Sequence, residues 1–378
     1  MIYFDSAATT LQKPESVRRA MMRALTLMSS PGRGSHSAAR AAAEAAFSCR
    51  SLAAKMFGVE NPENVVFTMN ATHAINIAIK SLVKEGSRVV ISGYEHNAVT
   101  RPLSSMRGVE TIVAQSPLFD QNAAVESFET ALAQGVDAAV CTHVSNVFGF
   151  ALPIDRIAAR CKAYGVPLIV DASQSAGVEP VDMASWGAAF VAMPGHKGLY
   201  GPQGTGLLLC AHEAVPIIEG GTGSDSLLQQ MPDYLPDRLE AGTHNMPGIA
   251  GLLAGLRFVE SRTPQRILAH ERALTEKTIE GLMELRAVRT FAARDSAVQA
   301  GVVSFTAQGF DAEDLAEELG TRGISVRGGL HCAPTAHRTA GTLDGGTVRV
   351  SMSAFNKPSE VESFLRELHR IIYRKSVF

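Results

Sequence analysis

Between residues 65 and 210, short apolar segments alternate with segments of helical periodicity. The predicted strands are Val65–Thr68, Arg88–Ser92, Ala138–His143, Pro167–Asp171, Ala188–Met193 and Thr205–Cys210. Ala71–Val83 and Asp155–Tyr164 are two of the predicted helices between them. Strands that are apolar throughout and separated by helices are typical of a mostly parallel sheet buried on both faces. The alternation therefore predicts a large α/β domain.

The segments on either side of this region have a different pattern. Residues 1–14 are predicted to form an extended arm, followed by helices at Glu15–Leu27 and Ala38–Phe57. Beyond residue 246 the predicted elements are helices at Pro247–Val259, Gln265–Leu285, Ala312–Leu319 and Ser359–Tyr373, with strands at Gly301–Thr306, Ser325–Arg327 and Thr347–Ser353. This mixed order indicates a smaller α+β domain. We therefore predict a large domain of residues 15–255 and a small domain formed by residues 1–14 and 256–378.

The composition is typical of a soluble globular enzyme, with 46% hydrophobic and 19% charged residues. The formal net charge is −2, and the absence of a basic block argues against a nucleic-acid partner. The sequence contains no apolar run long enough to cross a membrane and no signal-peptide pattern. The five cysteines are scattered and form no CxxC pair, so we predict neither a disulfide framework nor a metal site, and a reducing cytoplasm as the location.

A lysine lies between the last two predicted strands of the large domain. The stretch Val191–Gly206 leaves one strand through Pro-Gly, presents His196 and Lys197, and enters the next strand through a Gly-rich turn. Burial of an ammonium group is costly, lowers the pKa of the lysine and makes its amine a nucleophile. Schiff-base formation with an aldehyde, above all pyridoxal 5'-phosphate (PLP), uses such an amine. A Gly-His-Lys sequence alone is more often a surface loop, so the interpretation depends on residues elsewhere.

Polar side chains follow the other predicted strands. The turn Met69–His73 leads into a helix, whose first N–H groups attract an anion. His96 and Asn146 each follow a strand, and Asp171 ends another. A buried carboxylate needs a partner, and the protonated nitrogen of a pyridine ring is one. Because ligands bind at the carboxyl ends of strands in such sheets, we predict that these groups and Lys197 form one PLP site.

The ordered set of motifs resembles class V aminotransferase-type PLP enzymes of fold type I. Within that group the chain resembles the cysteine desulfurase and selenocysteine lyase family, closest to its type II branch. The similarity covers nearly the whole chain, and its further motifs are Ile2–Ala8, Gly32–His36, Arg238–Asn245, Arg327–Pro334 and Val348–Asn356. The resemblance implies a PLP cofactor and a homodimer.

The resemblance also implies roles for matching cofactor-binding residues. Lys197 would bind PLP covalently, Asp171 would pair with the pyridine nitrogen and His96 would stack on the ring. Asn146 and Gln174 would contact the ring's substituents. The phosphate would be bound by Ala71, Thr72 and His196, and by Thr243 from the neighbouring subunit.

On the substrate side, the resemblance implies that Arg349 holds the carboxylate, for which a bidentate guanidinium is suited. Arg327, His36 and Asn146 would also contact the substrate. Cys332 would be the thiol that receives sulfur. Lys197, Asp171, His96 and Cys332 are the predicted catalytic residues.

Two positions depart from the family pattern. Pro194 replaces a frequent phosphate-binding hydroxyl, and Ala71 replaces a frequent second threonine. The hydroxyls of Ser173, Thr222 or Ser224 would then compensate in binding the phosphate.

A Gly- and Thr-rich insert, Thr335–Gly346, separates Cys332 from Arg349 and is predicted to shape a lid over the site.

The predicted function is that of a PLP-dependent cysteine desulfurase, which converts L-cysteine to L-alanine and leaves a persulfide on Cys332 for a sulfur-acceptor protein. Cys332 lies in a polar loop near Arg327, which favours the thiolate, whereas Cys49, Cys141, Cys161 and Cys210 lie in apolar segments and are predicted to be inert. A selenocysteine lyase, a C–S lyase or an aminotransferase remain alternatives, because the fold does not separate them. A non-enzymatic PLP-binding sulfur-delivery protein is disfavoured because both Lys197 and Asp171 are present.

Overall fold

The computed structural model describes residues 1–32 and 34–374, so Arg33 of the Gly32–His36 motif lies outside the described residues. The strands are β1 (Ile2–Tyr3), β2 (Val65–Thr68), β3 (Arg88–Ser92), β4 (Glu110–Ala114), β5 (Ala138–Thr142), β6 (Leu168–Asp171), β7 (Phe190–Pro194), β8 (Gly206–Cys210), β9 (Val288–Phe291), β10 (Val302–Ala307), β11 (Ile324–Ser325) and β12 (Val348–Ser351). The α-helices are α1 (Glu15–Leu27), α2 (Ser37–Phe57), α3 (Ala71–Leu82), α4 (Asn97–Ser105), α5 (Gln121–Leu132), α6 (Ile154–Ala163), α7 (Met183–Trp186), α8 (Met246–Arg262), α9 (Pro264–Met283), α10 (Ala312–Thr321), α11 (Pro334–Ala340) and α12 (Pro358–Arg374).

The centre of the fold is a seven-stranded sheet in the order β2-β8-β7-β6-β5-β3-β4. Strands β4, β3, β5, β6 and β7 are parallel, and β8 runs antiparallel between β7 and β2. Side chains alternate between the two faces, so that Val90 belongs to the core with α2, α5 and α6, whereas Val89 and Ile91 belong to the core with α3 and α4. The prediction of an α/β domain with a mostly parallel sheet is confirmed.

The sequence prediction missed strand β4, which lies at the edge of this sheet. Its first four residues are exposed or partly exposed, and its polar start at Glu110 hides the apolar pattern of a buried strand. The sequence prediction also missed β9, another edge strand with mixed polarity. Both omissions arise because a strand paired on one side only has little need to be apolar.

The C-terminal part of the chain forms two smaller sheets. Strands β12, β10 and β9 are antiparallel, while β1 pairs in parallel with β11. Phe4, Phe305 and Phe364 pack together in the core of this region. The predicted domain boundary at residue 255 falls inside helix α8, which continues to Arg262. The division into domains stays a prediction.

Residues 2–10 run along both parts of the molecule. Ile2 pairs with Ile324, and the backbone N–H of Ala7 donates to Ser351 Oγ at 2.9 Å. Three residues further on, the N–H of Thr10 donates to the carbonyl of His196 at 3.1 Å. This segment therefore connects the small sheets to the loop that carries Lys197.

Across the residues that the structure describes, no helix combines the length and apolarity required to cross a bilayer.

Candidate active site

A cleft of about 190 Å³ lies beyond the carboxyl ends of β3, β5, β6 and β7. Eight of the nine predicted cofactor-binding residues line it, and these are Ala71, Thr72, His96, Asn146, Asp171, Gln174, His196 and Lys197. They come from five separate connections of the chain, yet the topology brings them to one edge of the sheet. These eight residues thus share one cleft, and their roles in binding stay predictions.

Lys197 is positioned by the tight connection between β7 and β8. The N–H of Gly201 donates to the carbonyl of Gly195 at 2.7 Å, and a Cβ on Gly195 would lie 2.1 Å from Thr205 Oγ1. Only glycine therefore allows this close turn. The Lys197 amine makes no hydrogen bond within the described residues, and burial lowers its pKa to about 8 although Asp171 opposes the shift. The amine is thus available for reaction near neutral pH.

Asp171 is almost fully buried at the end of β6. The N–H of Ser173 donates to Asp171 Oδ1 at 2.9 Å, and the Ser173 hydroxyl donates to the same oxygen. The Ser173 hydroxyl is therefore engaged by Asp171, although Ser173 lines the cleft. Thr222 and Ser224 bond to each other and are not among the residues that line the cleft.

His96 ends the turn after β3 and caps helix α4. Its Nδ1 accepts a hydrogen bond from the N–H of Ala98 at 3.0 Å, so any proton of the neutral ring is on Nε2. Burial lowers the pKa of His96 to about 4, against the attraction of Asp171. The imidazole is therefore neutral at physiological pH.

The side-chain amides of Asn146 and Gln174, which line the cleft, donate hydrogen bonds to the backbone of distant segments. Asn146 Nδ2 donates to the carbonyl of His331 at 2.8 Å, and Gln174 Nε2 donates to the carbonyl of Ala7 at 2.9 Å. They connect the large sheet to the Cys332 loop and to the N-terminal segment.

Arg349 is 1% exposed and lies on β12. Its guanidinium donates to Asp5 Oδ1 at 2.6 Å and to the carbonyl of Asn146 at 2.9 Å, while its Nε has no partner within the described residues. The ion pair with Asp5 was not predicted. The only sequence signal for it is the aspartate in the Ile2–Ala8 motif.

Cys332 is the exposed cysteine, whereas Cys49, Cys141, Cys161 and Cys210 are buried as predicted. The Arg327 guanidinium lies 3.9 Å from Cys332 Sγ. His331 and Cys332 have φ values of 49° and 57°, in the left-handed region that is costly for residues with a Cβ. The N–H of Asn97 donates to the carbonyl of Cys332 at 2.8 Å, and Asn146 holds the carbonyl of His331, so the loop is fixed beside the cleft.

Besides Arg349, Arg327 and Cys332, two more predicted site residues are not among those that line the cleft in the single chain. His36 is exposed and caps helix α2 by accepting from the N–H of Ala39 at 3.3 Å. Thr243 is exposed and lines a separate cavity together with Met69 and His73. Their roles remain predictions. The predicted lid region 335–346 includes most of helix α11, where Thr339 Oγ1 donates to the carbonyl of Gly93 at 2.8 Å.

Glu95 is a residue of the site region that the sequence prediction missed. It is fully buried beside His96, and its Oε1 accepts hydrogen bonds from Ser92 Oγ at 2.5 Å and from the N–H of Thr142 at 2.7 Å. Burial raises the pKa of Glu95 to about 8. The sequence signal that could have identified Glu95 is an acidic residue between an apolar strand and His96.

The comparisons with known proteins agree with this geometry. Residues 2–364 match the model of the family Aminotransferase class-V. The chain belongs to this family. Class V aminotransferases are PLP-dependent enzymes, which fits the cleft.

Curated relatives and solved structures carry a more specific name. A probable cysteine desulfurase of Pyrococcus abyssi is 33% identical over 98% of this chain and 94% of its own length. A probable cysteine desulfurase of Mycolicibacterium paratuberculosis is also 33% identical over 98% of this chain, which spans 55% of that protein. The apo structure of a cysteine desulfurase from Thermococcus onnurineus is 32% identical, with a TM-score of 0.90 over 98% of this chain and 94% of that one.

Proposed function

We propose that the chain is a PLP-dependent cysteine desulfurase that converts L-cysteine to L-alanine and holds the sulfur as a persulfide on Cys332. One observation carries the proposal: the exposed cysteine is held at the rim of the cleft that contains the unpaired Lys197 amine. The names of the relatives support the same activity.

The residues of the cleft fit PLP. The N–H groups of Ala71 and Thr72 are in the first turn of α3, where they have no partner in the helix and favour a phosphate. Asp171 offers a buried carboxylate for a protonated ring nitrogen, and the Lys197 amine is unpaired. When bound, PLP withdraws electrons from the carbon framework of an amino-acid substrate.

The other groups act on the substrate itself. Arg349 binds the carboxylate through its guanidinium, whose position Asp5 fixes. Lys197, with its lowered pKa, takes up and returns a proton. The Cys332 thiolate, beside Arg327, attacks the substrate sulfur. In balance, the C–S bond of the substrate breaks and an S–S bond to Cys332 forms. The proton of the substrate thiol replaces sulfur on the carbon, which yields alanine and leaves a persulfide anion on Cys332.

The proposal includes a homodimer, a sulfur-acceptor protein and a cytoplasmic location. Thr243 and His36 are exposed and are not among the residues that line the cleft, so they would act on the site of a second copy. Because Cys332 is exposed, a reducing compartment would keep its thiol free and an acceptor could reach it.

Product analysis with L-cysteine and a reductant tests the proposal. The unmodified chain and Cys161→Ala, a change at a buried cysteine, should release alanine and sulfide, whereas Cys332→Ser should bind PLP and release little alanine. Mass spectrometry should find the added sulfur on the peptide that contains Cys332. Pyruvate and ammonia as products would instead indicate a C–S lyase, a requirement for a keto acid would indicate an aminotransferase, and turnover of selenocysteine alone would indicate a selenocysteine lyase.

A further inference from the structure

A second cavity, called the inner cavity below, adjoins the cleft at Lys197. It has a volume of about 30 Å³, and Lys197 and Gln174 line both this inner cavity and the cleft. The other polar groups around it include Ser6, Thr10, Tyr200 and Glu271. Lys197 therefore lies between the cleft and the inner cavity, whose lining is partly polar.

The inner cavity has the size and chemistry of a water site. A buried water needs about 10–15 Å³ and two or more polar partners, so the cavity can hold about two waters. Ser6 is buried and its Oγ has no hydrogen-bond partner within the described residues. A buried hydroxyl without a partner is costly, and water in this cavity would satisfy it.

Glu271 is the acidic group of the cavity. It lies on α9 and is 6% exposed, and its carboxyl makes no hydrogen bond within the part of the chain that the structure describes. Gly301 leaves room for it, since a Cβ there would lie 2.7 Å from Glu271 Oε2. A carboxyl in this position stays protonated unless a cation or water stabilises its charge.

Among the residues that line the inner cavity, Lys197 is the one with a basic side chain. Glu179 faces it but is paired with the Arg272 guanidinium at 3.0 Å. Tyr200 accepts from the N–H of Ala354 at 2.8 Å. Burial, with a smaller effect of Glu179, raises the pKa of Glu271 to about 8, and burial lowers that of Lys197 to about 8. Burial therefore disfavours the charged form of both groups.

We propose that water in the inner cavity connects the Glu271 carboxyl to the Lys197 amine, so that Glu271 stores a proton which Lys197 takes up and returns. In this transfer the O–H bond of Glu271 breaks, a water passes on the proton and an N–H bond forms on neutral Lys197, which leaves a carboxylate and an ammonium. No other reactant is needed. This inference rests on the proposed function, in which Lys197 is the reactive amine. Glu271 acts only through Lys197, so it is a positioning residue and does not touch the substrate.

Infrared spectroscopy of the ligand-free protein tests the storage of the proton. Wild-type protein near neutral pH should show the carbonyl band of protonated carboxylic acids, with contributions from Glu95 and Glu271. Glu271→Gln should remove part of the band, and Glu276→Gln, an exposed acid on the same helix, should leave it unchanged. If Glu271→Gln fails to fold, Glu95→Gln should retain the Glu271 band. Absence of any band assigned to Glu271 would overturn the proposal, even in a protein that binds PLP and desulfurates cysteine.

A titration of the PLP-bound protein tests the connection to Lys197. The absorbance of the bound cofactor reports protonation of the nitrogen that Lys197 supplies. When Glu271 gives up its proton it becomes a carboxylate that stabilises the protonated nitrogen, and Gln cannot do this. The midpoint of Glu271→Gln should therefore fall by on the order of one pH unit. Glu271→Asp should restore much of the shift, and Glu276→Gln should show the wild-type midpoint. Equal midpoints in wild type and Glu271→Gln would overturn the proposal, whereas failure to bind PLP at all would instead refute the proposed function.

Discussion

Replacement of Glu95 by Gln should stabilise the protein at neutral and alkaline pH. Glu95 is fully buried, and burial raises its pKa from 4.5 to about 8. Between these values the folded state binds a proton that the unfolded state has lost, so the free energy of unfolding decreases as the pH rises. Gln has the same shape, can accept the hydrogen bonds from Ser92 and Thr142, and does not ionise.

The magnitude follows from the size of the shift. One pKa unit corresponds to about 1.4 kcal/mol, so the shift of Glu95 is equivalent to at most about 5 kcal/mol. The difference in unfolding free energy between Glu95→Gln and wild type should therefore be small near pH 4.5 and increase toward this limit by about pH 8.

Urea unfolding of both proteins across this pH range, without added ligand, measures the difference. Glu126→Gln, at an exposed position of α5, is the control and should give a difference that does not change with pH. A pH-independent difference for Glu95→Gln, or a loss of stability at about pH 8, would refute the reasoning, because Glu95 would then be ionised in the folded state.

Four further predictions concern the predicted site residues. Lys197→Ala should lose the visible absorbance of covalently bound PLP, and borohydride should no longer fix the cofactor; retention of both would exclude Lys197 as the attachment site. Asp171→Asn should still bind PLP, as its absorbance would show, but turn over cysteine about 100-fold more slowly or worse. Arg349→Lys should raise KM for cysteine by about tenfold or more with unchanged PLP affinity, since lysine cannot donate two parallel hydrogen bonds to a carboxylate. An unchanged KM would exclude Arg349 as the group that binds the substrate carboxylate. Thr243→Ala should weaken PLP binding in a dimer. A protein that is monomeric by light scattering and fully active in the turnover assay would contradict the cross-subunit role.

The buried strands of the large sheet were predictable because their apolar character is required by burial on both faces. The predicted strand Val65–Thr68 has the observed bounds, and the prediction for Pro167–Asp171 differs by one residue. The shared position of His96, Asp171 and Lys197 was predictable for a related reason, since each follows the carboxyl end of a strand in one parallel sheet.

The contacts between distant segments were not predictable from the sequence. Neither the ion pair of Asp5 with Arg349 nor the inner cavity at Glu271 has a periodic or local signature. The ion pair depends on how the segment after β1 meets β12, and the cavity depends on how α9 packs near the Lys197 loop. Such details arise from tertiary packing rather than from local sequence.

The course of residues 2–10 has a consequence for the order in which the protein is made. Asp5 and Ala7 leave the ribosome early, but their partners Arg349 and Ser351 are 344 residues further along the chain. The ion pair of Asp5 with Arg349 therefore cannot form during most of translation, and contacts of such long sequence separation are slow to form. The strands that follow would fold first, and the earliest residues would join the structure among the last.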